Sequence, residues 1–338
     1  MRAEDVGSRS GALACAAQRY DRDMRDVVTP SANEDVNEYV RNPVGAFLAS
    51  SGKRLRPVLC EAGCLMAGGQ RESARSCALA LESFHVAAII HDDIEDEARM
   101  RRGYAAYHVA EGIPLAINAG DYGLALALRL IVEDSSLSDA VKVRVLDEFT
   151  AMAQRTVEGQ AMDIGWSRDG RLDVSIEECL LMIESKSACY SCAAPLAIGG
   201  IVAGATGEQV DDLRCIGLKV GLAFQIRDDL DNLQLEHPVG KDGALDILQG
   251  KRTIIVAHAL EHSPEAGVLA DILSSGKGDR SEIERAIGIM EECGSLAYAE
   301  DLVGRYCVDA RELLDCEFAP GEGRDILEEA ITMIEGPR

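Results

Sequence analysis

One all-α domain is the fold class this sequence predicts, and three observations carry it. Aromatic residues make up only 4% of a 338-residue chain that is 47% hydrophobic. Its core must be built from Leu, Ile, Val, Ala and Met, a palette that suits helices better than strands. Apolar positions recur with a helical period along most of the chain, and convincing strand alternation is absent. The breaks are short Gly or Pro turns, so no interdomain linker is expected.

Taken in order, "RPVLCEAGCLMAG" (56–68) is a helix that stops at Gly. "ARSCALALESFHVAAIIHDDIED" (74–96) is long, apolar and free of Gly and Pro. Helices follow over 114–134, 139–164, 175–193, 195–205 and 208–234, the break before 195 placed at Pro195. Others are expected near 255–262, 281–293, 295–316 and 323–335. The loop at 235–251 is the one sizeable interruption, and long ordered loops tend to be functional. Residues 1–34 read as a partly ordered N-terminal segment and 35–338 as the catalytic body.

A formal charge of −24 argues against nucleic acid and anionic membrane surfaces as partners. Basic clusters therefore stand out, and "GKRLRP" (52–57) and "RMRRG" (99–103) are the clearest. The 11 cysteines are odd in number and irregular in spacing, with several, including Cys60, Cys64, Cys77 and Cys215, in apolar helical context. "CYSC" (Cys189, Cys192) lacks a second pair at zinc spacing, so buried reduced thiols are expected. The first 26 residues hold no long apolar run, which predicts neither signal peptide nor anchor and makes the cytoplasm the default location.

Two acidic clusters carry the chemistry. "HDDIED" (91–96) and "IRDDLDN" (226–232) each place paired aspartates late in a long apolar helix. At about 100° per residue, Asp93 and Asp96 fall roughly 100° and 40° from Asp92, so one face is expected to carry all three. Asp228, Asp229 and Asn232 repeat the arrangement, with Asp231 on the flank. So many carboxylates inside a helical core require counter-ions. Hard oxygen donors of this kind suit Mg²⁺, which bridges carboxylates to substrate phosphates. Either cluster alone reads equally as a solvated, ion-paired helix end; the pair does not.

The motifs "GKRLRP", "ESFHVAAIIHDD", "DDIEDEARMRRG", "GQAMD", "KSACY", "FQIRDD" and "GK…LDILQGKRT" occur in the order found in trans-isoprenyl diphosphate synthases. From about residue 35 onward the chain resembles that polyprenyl synthetase family. The resemblance implies an all-α fold around a central catalytic cavity, usually homodimeric. It implies Mg²⁺, three per active site with substrate bound, and head-to-tail elongation: an allylic diphosphate ionises and isopentenyl diphosphate attacks the cation. Asp92, Asp96 and Asp228 would be the principal metal ligands, with Asp93 and Asp229 assisting. Arg101, Lys186, Ser187, Gln225, Lys241 and Lys251 match positions that hold the allylic diphosphate. Gly52, Lys53, Arg56, His85 and Arg102 match the isopentenyl diphosphate pocket. Gln160 and Asp163 of "GQAMD" read either as part of the site or as capping and packing residues. Glu95, Glu97 and Arg99 read as surface ion-pair residues.

Three departures are visible. Asn232 stands where the second motif commonly ends in Asp, Ser187 replaces a usual Thr, and Ser51 replaces the first Gly of a Gly-Gly-Lys-Arg run. DDxxN resembles eukaryotic-type geranylgeranyl diphosphate synthases. Product length in the family tracks side chains below the first motif, where aromatics four and five residues before Asp92 stop growth at fifteen carbons. Here those places hold Ala88 and Ala87, and Phe84 is the nearest large side chain, one turn or about 5.4 Å deeper. A C20 product is therefore expected, with C15 and C25 as alternatives. A class I terpene cyclase would share the aspartates but need no isopentenyl diphosphate pocket. A non-catalytic synthase subunit would usually have lost aspartates or diphosphate-binding residues that this chain retains.

Overall fold

The computed structural model describes residues 11–50, 52–101, 103–233, 247, 249–275 and 280–336. Lys241, Arg102 and most of the 235–251 loop lie outside the described residues. The architecture is all-α. Helices α1 (Ala12–Asp23) and α2 (34–49) precede α3 (Leu55–Met66), α4 (Arg75–Glu95), α5 (Ile113–Val132) and α6 (Asp139–Arg168). Then come α7 (Ile176–Ala203), α8 (Gly207–Asn232), α9 (Ile254–His262), α10 (Ala266–Ser275), α11 (Arg280–Glu292), α12 (Ser295–Glu317) and α13 (Glu322–Glu335).

The long helices start where local chemistry caps them. Ser138, Ser175, Thr206 and Thr253 each accept the backbone N–H three residues on, and Ser175–Glu178 and Thr206–Gln209 complete reciprocal capping boxes. Helix α7 is central: it packs against α3, α6 and α8, while α4 packs along α5. The core between them is aliphatic, with Leu59, Leu81, Ile90, Met152, Ile183, Leu196 and Leu213 all fully enclosed.

Four features depart from the sequence reading. The helices expected over 175–193 and 195–205 form one, because residues Glu184–Ala193 take a wider π-type turn just ahead of Pro195. A proline ring normally clashes with the carbonyl four residues back, and a loosened turn relieves that clash. Helices α1, α2 and α10 were not foreseen; α1 carries a buried stripe of Ala16, Ala17 and Tyr20 too short in apolar length to announce itself. A two-residue antiparallel ladder pairs Met100 with Ala105 and Arg101 with Tyr104. Cys215 is exposed, although Cys60, Cys64, Cys77, Cys189 and Cys192 are buried free thiols as expected. Burial pushes the Cys77 and Cys192 thiols up to about 12, which makes them inert at neutral pH.

Candidate active site

Helix α4 delivers the first acidic cluster at its C-terminal end. The helix stops at Asp96, Glu97 turns left-handed (φ 51°), and the Ala98 N–H bonds back to the Asp93 carbonyl at 2.9 Å. Asp92 and Asp96 line a cavity of about 1290 Å³. Asp93 does not share that face. It is fully buried and accepts the Arg101 Nε–H at 2.8 Å and an Nη2–H of the same guanidinium. The sequence reading grouped it with Asp92 and Asp96; a step of about 100° around the helix turns it under the following loop instead. Arg101, unlike Asp93, lines the cavity, with its Nη2 also 3.6 Å from Asp92 Oδ2. Burial raises the Asp93 carboxyl above its ordinary range, and Arg101 opposes that shift.

Helix α6 crosses the mid-part of α7 at Gly159, where a Cβ would lie 2.3 Å from the Lys186 backbone nitrogen. Only a bare α-carbon lets the two backbones approach so closely. The contact sets Gln160 and Asp163 beside Lys186. Lys186 Nζ donates to Asp163 Oδ2 at 2.5 Å and stands 3.9 Å from Asp92 Oδ1. Gln160 Nε2 donates to Asp92 Oδ1 at 3.1 Å and to Glu95 Oε2 at 2.6 Å, so Glu95 belongs to the cavity wall rather than to a surface ion pair. Burial disfavours the Lys186 charge, but Asp163 and Asp92 outweigh it and hold the pKa above the usual lysine value. Lys251 Nζ, across the cavity, donates to Asp96 Oδ2 at 2.7 Å. Replacing Gly159 with Ala forces these backbones apart. We expect a stability loss of about 1–3 kcal/mol from overpacking, read by thermal melting, with a larger fall in kcat than Tm alone explains.

The second acidic cluster reaches the same cavity from the end of α8. Asp228, Asp229, Asp231 and Asn232 all line the cavity, as does Gln225, whose amide donates to Asp229 Oδ1 at 2.8 Å. Ser187 is buried on α7 and also lines it.

A basic corner lies at the same cavity. Lys53 is exposed there, its Nζ 5.7 Å from the Phe224 ring centroid. Arg56 stacks over Tyr190 (4.4 Å to the centroid) and donates to Ser191 Oγ at 2.7 Å, while its Nε is buried without a hydrogen-bond partner. His85 Nδ1 lies 3.4 Å from the Tyr190 hydroxyl. Gly52 completes the corner.

Below the first cluster, Ala88 and Phe84 line the cavity. Phe84 makes edge contacts with Phe149 (5.6 Å) and Tyr190 (5.9 Å). Ala87 is not on this wall; it is fully buried toward α5, where a Cβ on Gly123 would come within 3.0 Å of its own.

The cavity thus gathers Asp92, Asp96, Lys186, Asp228, Asp229, Gln225 and Lys251 with Lys53, Arg56 and His85. Sequence reasoning had no role for Tyr190 or Phe149, and left Asp163 open. Among the described residues no three His, Cys, Asp or Glu side chains converge as a ready cation cage. The donor set still fits Mg²⁺, which favours one or two carboxylates, several waters and substrate phosphates over an all-protein cage. The carboxylates of Asp92, Asp96 and Asp228, which line one cavity from two helices, are the residues that would hold it.

The polyprenyl synthetase family profile matches residues 37–290. The chain belongs to the polyprenyl synthetase family. It is 37% identical over 265 residues to a geranylgeranyl diphosphate synthase of Saccharolobus solfataricus, covering 77% of this chain and 78% of that one. It is 36% identical over 270 residues to a short chain isoprenyl diphosphate synthase of Methanothermobacter thermautotrophicus, covering 80% and 82%. A crystal structure of a geranylgeranyl pyrophosphate synthase from Corynebacterium glutamicum, complexed with isoprenyl diphosphate and magnesium, superposes with a TM-score of 0.82. It is 28% identical and covers 97% of each chain. This polyprenyl synthetase is a trans-prenyltransferase with the family's all-α fold.

Proposed function

We propose that this polyprenyl synthetase condenses isopentenyl diphosphate with an allylic diphosphate and releases geranylgeranyl diphosphate. One observation carries the reading: a single cavity is lined by a carboxylate-and-lysine end, a separate basic corner and an apolar stretch that includes Ala88 and Phe84. Mg²⁺, three ions per site with substrate bound, would neutralise the leaving diphosphate as the allylic C–O bond breaks. Lys186 stands 3.9 Å from Asp92 and Lys251 2.7 Å from Asp96, which supports a role for both in adding positive charge on the same side. Arg101, Lys241 and Gln225 are proposed for the same diphosphate. Lys53, Arg56, His85 and Arg102 are proposed for isopentenyl diphosphate, with Arg suited to forked contacts and Lys to a point charge. The aromatic and aliphatic wall would keep water from the carbocation until isopentenyl diphosphate attacks. The proton then lost from the attacking unit passes to the departed diphosphate, the most basic group at hand.

The purified protein, given MgCl₂, farnesyl diphosphate and labelled isopentenyl diphosphate, should yield labelled C20 diphosphate, and none once EDTA is added. Hydrocarbon made without isopentenyl diphosphate would favour the cyclase reading. Silence until a second chain is supplied would favour the subunit reading.

The outer face of α5 supports a homodimer. This helix has a mean hydropathy of 1.4, yet only 33% of its apolar window is buried, and Ile113, Ile117, Leu128 and Val132 stay exposed. An apolar stripe of this kind is costly in water and suits a symmetric helix pair with a second copy. We expect a dimer by sedimentation at neutral pH and a monomer after Ile117→Glu with Leu128→Glu. Helix α5 and α7 are both long and apolar enough to cross a membrane. Helix α7 is 78% buried in the core, and the α5 face is assigned to the dimer, so a cytoplasmic location is proposed.

A further inference from the structure

The basic corner has a support that its own residues do not explain. Arg54 sits between Lys53 and Arg56 in the left-handed conformation, φ 49° and ψ 34°. For a residue with a Cβ this conformation is strained, so something must hold it there. Its side chain is fully enclosed, which leaves no charge to offer a ligand. Instead Nε donates to Asp21 Oδ1 at 2.7 Å and Nη1 to Glu82 Oε1 at 2.7 Å. Nη2 donates to the Leu48 carbonyl at 2.9 Å and to the Ser50 carbonyl at 2.5 Å. Those bonds fix the guanidinium to three separate elements. Leu48 and Ser50 belong to the end of α2 and the turn after it, Asp21 to α1, and Glu82 to α4, one turn before His85.

We propose that Arg54 is a positioning residue for the isopentenyl diphosphate pocket, and that Asp21 on the N-terminal helix is its partner in that role. The proposal rests on the reading of Lys53, Arg56 and His85 as that pocket. Residue 54 is where the loop turns into α3: its carbonyl accepts the Val58 N–H at 3.2 Å, and Arg56 lies in the first turn. If φ at residue 54 relaxed to a negative value, Lys53 would swing relative to Arg56, and both relative to His85. The cage prevents this by tying residue 54 to the same helix that carries His85. Helix α1 lies outside the segment that matches the family profile, so the cage also makes that helix part of substrate recognition.

The test compares Asp21→Asn, Arg54→Lys and, as a control, Asp23→Asn, which loosens only the exposed Arg75 pair on the same helix. Asp21→Asn removes one charge from the cage but keeps its shape. It should raise KM for isopentenyl diphosphate about tenfold, the loss of one charge-assisted bond's worth of order. The allylic KM and kcat should stay within about twofold, the pattern of a lost binding contribution. Arg54→Lys, which cannot reach all four acceptors, should do the same more strongly, and Asp23→Asn should change neither KM. Equal effects of Asp21→Asn and Asp23→Asn would show that helix docking alone matters and overturn the proposal. So would a lower Tm with both KM values unchanged in Asp21→Asn, which stays informative even where Arg54→Lys does not fold. A wild-type enzyme that consumes no isopentenyl diphosphate would overturn the functional reading and this proposal with it. An active wild type with an unaltered Asp21→Asn would overturn this proposal alone.

Discussion

Asp92→Asn should lower kcat about 10²- to 10³-fold while Asp93→Asn lowers it far less and instead destabilises the protein. The two residues are neighbours in one motif, and only the fold separates them. Asp92 lines the cavity, within reach of Gln160 and Lys186. Its charge is available to a cation and a diphosphate that develops charge in the transition state, and losing one such preorganised group has that order of cost. Asp93 is sealed beneath the cavity wall against Arg101. Its Oδ1 is taken up by Arg101, and Asp93 is not among the residues that line the cavity. Removing its charge takes away the nearest counter-ion of the half-buried Arg101 guanidinium; Asp92 remains 3.6 Å away, so the cost stays below the roughly 3–5 kcal/mol of a fully buried pair. Circular-dichroism melting and initial-rate kinetics on the two variants separate the roles. Comparable kcat losses at unchanged Tm would show that Asp93 works in the cavity after all.

That contrast marks where the sequence stopped being legible. The helical class followed from composition and period, because aliphatic spacing is a direct consequence of which face is buried. Both acidic clusters, the basic loop and Lys186 stand out as charges that an apolar helix has no other reason to hold. What sequence could not show was orientation at a helix end. A three-aspartate face drawn on an ideal helix ignored that α4 ends at Glu95, with Asp96 already its cap. Ala87 was misplaced for a different reason: adjacent positions on a helix diverge by about 100°, the same step that turns Asp93 under the following loop. Pairings between distant segments were equally invisible: Gln160 with Glu95, Asp163 with Lys186 and Asp21 with Arg54 each join residues far apart in the chain. Gly159 gave a local hint, yet a glycine inside a helix announces a close approach without naming its partner.

The second large effect concerns the floor. Phe84→Ala should shift the main product from C20 to C25 and longer, with the initial rate of isopentenyl diphosphate consumption changed by no more than about threefold. Ala88 leaves the cavity wall open immediately below Asp92, and Phe84 is the next large side chain on the same helix. One turn is about 5.4 Å, close to the length of one added isoprene unit. Truncating Phe84 opens that depth, but the ring is not isolated. Phe149 stands edge-on to it at 5.6 Å and Tyr190 at 5.9 Å, so a second aromatic layer lies immediately around the opened space. Phe84→Ala alone should therefore add one or two units, not release growth without limit. Phe84→Ala with Phe149→Ala should carry it further, and the effects of touching residues should not be additive. Each loss of a buried ring also costs about 3–5 kcal/mol, so the double variant needs assay well below its melting point. Chain-length analysis of the dephosphorylated products decides the matter: a C20 product from Phe84→Ala would place the floor on another helix.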